Sequence, residues 1–110
     1  MDKLTIKLTN HENSQSQYDW VDLELNNSRV GKVRCFIDGN ECTIYSIVIY
    51  PEFQGKGYGK KFVELTKNKY KKVIADRVRF NAIGFWEKMD FIYDKNTENW
   101  VYHNSKYNLH

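Results

Sequence analysis

Long apolar runs are absent from these 110 residues. None approaches the ~20 residues that a membrane-crossing helix needs, and the opening "MDKLTIKLTN" alternates where a secretory leader would be continuously apolar. A cytoplasmic setting with no membrane partner is the expectation. Charge of one sign is also scarce, since 17 Lys and Arg against 14 Asp and Glu leave only +3. Such a balance suits a small phosphate-bearing partner and falls far short of the basic footprint of a dedicated nucleic-acid binder. There are only two cysteines, Cys35 and Cys42, flanking "FIDGNE". If Asp38 and Gly39 form a two-residue turn, the two cysteines face each other across neighbouring strands; in a reducing compartment they are expected as free, half-buried thiols. The three histidines, His11, His103 and His110, show no ligand spacing, and no metal is assigned. With no repeat and no linker, residues 1–110 read as one domain.

What is present is a globular pattern, 41% hydrophobic and 15% aromatic. Lys3 to Leu8 and Tyr18 to Leu25 alternate as strands on either side of the polar "HENSQSQ". "NNSR" reads as a turn, and Val30 to Ile37 and Glu41 to Tyr50 as a hairpin closed by Asp-Gly. From Gly57 the period becomes helical, with Tyr58, Phe62, Leu65, Thr66 and Tyr70 recurring on one side. Lys72 to Ala75 is a short strand, and Arg79 to Met89 a helix presenting Ala82, Phe85, Trp86 and Met89. Phe91 to Tyr93 and Trp100 to Tyr102 are strands around the turn "DKNTEN". The order β-β-β-β-α-β-α-β-β predicts an α+β domain.

The densest signal is "YPEFQGKGYGKKF", with Gly55, Gly57 and Gly59 on alternate positions between the strand "TIYSIVIY" and the basic helix. Glycines so placed serve a backbone that needs positive φ or that something approaches closely. A tight turn is the plainest reading. A Walker loop and a dinucleotide fingerprint both fail on spacing. "KGYG" matches the opening of an RNA-recognition motif, but two lysines follow where Phe and Val belong. The remaining reading is a helix start whose free N–H groups and positive dipole end accept a diphosphate, with Lys60 and Lys61 in the first turn.

These residues resemble the acyl-CoA-binding motif of the GNAT superfamily of N-acetyltransferases, Q/R-x-x-G-x-G/A, matched by Gln54, Gly57 and Gly59 with the apolar strand and Pro51 before them and the helix after. "AIGFWEKMDF", Ala82 to Phe91, is similar to the family's later helix and strand. The resemblance implies a mixed, mostly antiparallel twisted sheet with two main helices. It implies acetyl-CoA as cosubstrate, its pantetheine lying where Ile47, Val48 and Ile49 splay from the strand of Val73 to Ala75. The backbone of Gln54, Gly55, Lys56, Gly57, Tyr58 and Gly59, with Lys60, would take its pyrophosphate. It implies, too, direct attack of an amine on the thioester in a ternary complex.

The chain departs from the family pattern at informative places. Trp86 stands where many members carry a tyrosine as general acid, Asp90 at a usual glycine and Arg79 at a frequent asparagine. Tyr45 and Tyr93 are substitute acids. Glu41 is the candidate base, because alternation places Glu41 and Thr43 on one face with Tyr45, Ile47 and Ile49. Members commonly place two helices between the first two strands, for which "TNHENSQSQ" is too short; an open acceptor side then favours a protein lysine or N-terminus. A different class is a catalytically inactive relative that binds a protein partner, with CoA as ligand or absent; nucleic-acid binding ranks third. A thin layer over the sheet would also suit pairing with a second copy.

Overall fold

A computed structural model describes residues 4–8 and 19–105. The polar "HENSQSQ" and the expected strand ends at Lys3 and Tyr18 lie outside them. The chain runs β1 (Leu4–Leu8), β2 (Asp19–Leu25), β3 (Ser28–Asp38), β4 (Glu41–Ile49), α1 (Tyr58–Lys69), β5 (Lys72–Ala75), α2 (Ile83–Lys88), β6 (Ile92–Asp94) and β7 (Asn99–His103), with 3₁₀ turns at Pro51–Phe53 and Phe80–Ala82. This is the expected order. The strands form one seven-stranded sheet in the order β1-β2-β3-β4-β5-β7-β6. Among the described strands only β4 and β5 run parallel, which requires the long crossover that α1 provides.

Turn chemistry sets the registers. Asn26 and Asn27 take φ of 51° and 68°, the pair of left-handed residues that a type I′ hairpin demands and asparagine tolerates. The turn is confined to them, and Ser28 and Arg29 already belong to β3. The next hairpin corrects the expected Asp38–Gly39 turn: Asp38 pairs with Glu41, and the loop is Gly39–Asn40. Left-handed φ then falls on Gly39 alone, at 58°, the first loop position, where a type II′ turn takes glycine. That shift moves Cys42 opposite Ile37 and Cys35 opposite Ile44, so the cysteines do not face each other. Neither thiol is in a disulfide, and both are fully buried where half-burial was expected. A hydrogen bond with Cys35, then burial, push the Cys42 thiol pKa up.

A second correction concerns β4. Arg34 pairs with Ser46 and Cys35 with Ile44, so Tyr45 is the extra residue of a β-bulge. One inserted residue reverses the alternation beyond it. Cys42 and Ile44 therefore share the core face with Ile47 and Ile49, which pack against the buried cluster. Glu41, Thr43 and Tyr45 lie on the opposite face, parted from Ile47 and Ile49 that strict alternation grouped with them.

The core lies between that inner face, with Val21, Leu23, Val33, Ile44 and Val73, and the two helices, which insert Tyr58, Phe62, Val63, Thr66, Trp86 and Met89. Leu65, grouped with the apolar stripe of α1, is exposed and Val63 takes its place inside. The second helix is shorter than Arg79 to Met89, beginning as the 3₁₀ turn. Its end explains Asp90. The N–H groups of Asp90 and Phe91 bond the carbonyls of Glu87 and Trp86, a Schellman closure whose C′ residue is left-handed; Asp90 holds φ of 70° there. The Phe91 ring packs 4.8 Å from Trp86. Lys67 of α1 donates to the Met89 carbonyl at 2.8 Å and lies 4.4 Å over the Tyr102 ring of β7, joining both helices to the sheet. Among the described residues no helix is long and apolar enough to cross a membrane.

Candidate functional site

The parallel pair β4–β5 lasts four residue pairs, Glu41–Lys72 to Ile44–Ala75. A last bond runs from the Asp76 N–H to the Ile44 carbonyl at 2.9 Å, and the strands then part. Between them opens a cleft of about 830 Å³. Its walls are Ile44 to Val48 on one side and Asp76 to Arg79 on the other, with Ala82, Phe85 and Trp86 from the second helical segment and Gly59 from the first. Arg77 turns the chain away from β5 in a left-handed conformation, φ 54°, and its N–H is held by Asn99 Oδ1 at 3.4 Å.

The glycine run sits where β4 ends. Pro51 opens a 3₁₀ turn closed by bonds from the Phe53 and Gln54 N–H groups to the Tyr50 and Pro51 carbonyls. The Gln54 side chain donates to the Ile49 carbonyl at 2.9 Å, latching the loop to the strand. Gly55 and Gly57 both take φ of 80°, which only glycine adopts without strain. Gly57 is the N-cap of α1, and the first helical bond runs from the Lys61 N–H to its carbonyl. The N–H groups of Tyr58, Gly59 and Lys60 thus precede the helical ladder. Gly59 has ordinary helical φ, and a Cβ built on it meets nothing within 4 Å. Nothing within the described fold demands glycine there; its bareness leaves the N-terminal amides open, as an approaching diphosphate requires.

The sequence candidates divide by place. Ile47, Val48, Gly59, Tyr45 and Trp86 line the cleft. Gln54, Gly55, Lys56, Gly57 and Lys60 form an exposed rim at the helix start. Ile49 lies past the lining with its carbonyl on Gln54, and the Tyr58 side chain is buried, leaving its backbone to the rim. Trp86 is both wall and core, 7% exposed. Glu41 is not in the lining; it sits beside the Gly39–Asn40 turn, 3.7 Å from Lys72. Tyr93 is on the short strand β6, its ring 5.6 Å from Trp100 and outside the lining. Sequence reasoning missed Asp76 and Arg77. The signal was the abrupt change from "VIA" to "DR", charge directly after an apolar strand. Tyr45 gains meaning from its neighbours: Arg77 Nη1 is 3.4 Å from its hydroxyl, and the Arg34 guanidinium lies 5.1 Å from its ring centre. Among the described residues no group of three or more His, Cys, Asp and Glu is placed to hold a metal; His11 and His110 lie outside them.

With this geometry in hand, comparison with known proteins is specific. A family model described as the acetyltransferase (GNAT) family matches residues 2–91. An uncharacterized N-acetyltransferase of Oceanobacillus iheyensis is 40% identical over 50 residues, 46% of this chain and 31% of that protein. The chain spans about a third of the length of that curated relative. The crystal structure of a KacTA–DNA complex superposes with a TM-score of 0.69 at 14% identity, covering 94% of this chain and 95% of the other. The Bacillus subtilis N-acetyltransferase YlbP in complex with coenzyme A gives a TM-score of 0.59 at 19% identity, covering 76% and 66%. Both share the fold.

Proposed function

The chain belongs to the acetyltransferase (GNAT) family, and from that premise we propose that it moves an acetyl group from acetyl-CoA to an amine on a protein, a lysine or an N-terminus, by direct attack in a ternary complex. The observation that carries this reading is the parting of β4 and β5 after Ile44 and Ala75, beside a helix start kept bare by Gly57 and Gly59. Backbone groups of Ile47 and Val48 in the cleft suit the pantetheine amides. The rim N–H groups from Gly55 to Lys60, aided by the exposed Lys56 and Lys60, suit the pyrophosphate.

The chemistry needs a deprotonated amine, a donor for the developing oxyanion and a proton for the departing thiolate. Trp86 offers an N–H donor and no transferable hydroxyl proton. Tyr45 is the tyrosine that lines the cleft, and it takes the acid role in this proposal. Asp76 is the carboxylate in the lining; it replaces the distant Glu41 as the group that draws the amine's proton. The test is a calorimetric titration of the folded chain with acetyl-CoA, with ATP for comparison. Micromolar binding of acetyl-CoA with ATP far weaker is the expected result; no binding would turn the reading towards a partner-binding relative without the chemistry.

A further inference from the structure

Arg79 stands at the outer end of the cleft. β4 and β5 run parallel, so successive residues of the two walls advance toward the same end. Ile44 and Asp76, tied by the last strand bond, mark the closed end. Val48 and Arg79 mark the end toward the glycine rim, which enters the lining at Gly59. Arg79 is exposed, and among the described residues its guanidinium has neither an ion pair nor a hydrogen bond. Its carbonyl accepts the Ala82 N–H at 2.8 Å, which fixes the turn that follows. Phe80 opens that turn and is 91% exposed, the barest large apolar side chain among the described residues. One ring between the exposed polar residues Arg79 and Asn81 is too small an apolar area to dock a protein.

An acyl-coenzyme A carries anionic groups and an aromatic base at its nucleotide end alone. The rim amides and lysines serve its diphosphate in the reading above. Beyond the diphosphate lie a 3′-phosphate and a flat adenine, both borne by one ribose. A guanidinium takes phosphate oxygens in two parallel bonds, and an aromatic face stacks a nucleobase whatever its sequence context. Arg79 and Phe80 offer these two groups on adjacent residues, about 3.8 Å apart at their Cα atoms. An acidic acyl group or an acidic acceptor would instead lie at the closed end, by Tyr45 and Ser46.

We propose that Arg79 and Phe80 form the second lip of a nucleotide site, across the cleft from the glycine rim, with the guanidinium on the 3′-phosphate and the ring against the adenine of coenzyme A. This rests on the acetyl-CoA reading and adds a discrimination to it, between the whole cosubstrate and its truncated forms. Calorimetric titration of the full chain compares acetyl-CoA with acetyl-dephospho-CoA, which lacks the 3′-phosphate, and with S-acetyl-4′-phosphopantetheine, which stops at the first phosphate of the diphosphate. The parent is expected to bind them in that descending order, with steps of roughly tenfold. Arg79→Gln should erase the first step by weakening acetyl-CoA alone. Phe80→Ala should weaken acetyl-CoA and acetyl-dephospho-CoA about tenfold each and leave the phosphopantetheine form as in the parent. Phe80→Tyr, which keeps a ring, should restore both. Acetyl-CoA affinity unchanged in Arg79→Gln and Phe80→Ala overturns the proposal and leaves the acetyl-transfer reading standing. So does an equal loss for all three ligands, the mark of a structural effect. No acetyl-CoA binding by the folded parent would overturn that reading, and this proposal with it.

Discussion

Glycine and its substitutes mark the residues on which this molecule turns. Gly57 and Asp90 both hold left-handed backbone, at φ of 80° and 70°, yet for different ends. At Gly57 a Cβ would meet nothing within 4 Å, so the side chain of Gly57→Glu occupies the approach to the helix start. It should abolish acetyl-CoA binding in calorimetry, with a stability loss of about 1–2 kcal/mol from the strained φ. Gly57→Ala shares the strain and separates the two effects. At Asp90 the conformation closes α2, and Asp90→Val should lower stability in urea by about 1–2 kcal/mol. Asp90→Gly should leave it equal or slightly higher, since only a distant, exposed pairing with Lys67 at 3.7 Å is lost. Asp76→Asn, finally, should lower kcat about a hundredfold while the KM for acetyl-CoA stays unchanged.

At the scale of elements, the helices are tied to the sheet through few polar contacts. Lys67 is half-buried, with its ammonium on the carbonyl that ends α2 and above the Tyr102 ring. Lys67→Met keeps the stem and removes the donor, leaving the carbonyl unsatisfied. The expected cost is about 1–3 kcal/mol, read from the denaturation midpoint. Elements of this kind were legible in the sequence wherever period and turn chemistry agreed. β5 was expected at Lys72 to Ala75 and is found there, and the helix after the glycines begins within a residue of its expected start. What was not legible depends on neighbours in space. The bulge at Tyr45 leaves no mark on the alternation of "TIYSIVIY", because Ile44 before it and the run Ile47 to Ile49 after it are apolar and suit either face. The Asp-Gly signal likewise misplaced a turn by one residue, because Gly-Asn beside it is also a hairpin pair. For the site, the exposed rim at the start of α1 was readable because glycine spacing states a backbone need, met by the positive φ of Gly55 and Gly57. Asp76 and Arg77 became visible only when β5 was seen to leave β4.

The whole molecule keeps a pair of buried thiols at its centre, and this gives its stability a pH dependence. The Cys42 pKa is raised above its ordinary 9.0, through its bond to Cys35 and through burial; burial raises that of Tyr70 above 10.0 as well. A group whose folded pKa is raised stays protonated in the fold while the unfolded chain ionises. Its stabilising effect is therefore complete below pH 9 and is lost as pH climbs above it. Thermal denaturation from pH 7 to 10.5 should show Tm falling above pH 9. In Cys42→Ala the fall should be shallower, starting from a lower Tm because of the cavity.

The parallel pairing of β4 with β5 has a kinetic side. β1 to β4 are joined to their neighbours by antiparallel pairing, two of the connections being two-residue hairpins. The meeting of β4 with β5 closes a loop that contains the whole of α1. Loop closure of that length is slow to nucleate, so the meander should form the folding nucleus and the gap beyond Ile44 should assemble after the rate-limiting barrier. A ligand of that gap would then leave the refolding arm of the chevron unmoved and slow only the unfolding arm. Acetyl-CoA, the proposed cosubstrate, would then act as a brake on opening, and the chain's lifetime in the cell would follow its supply.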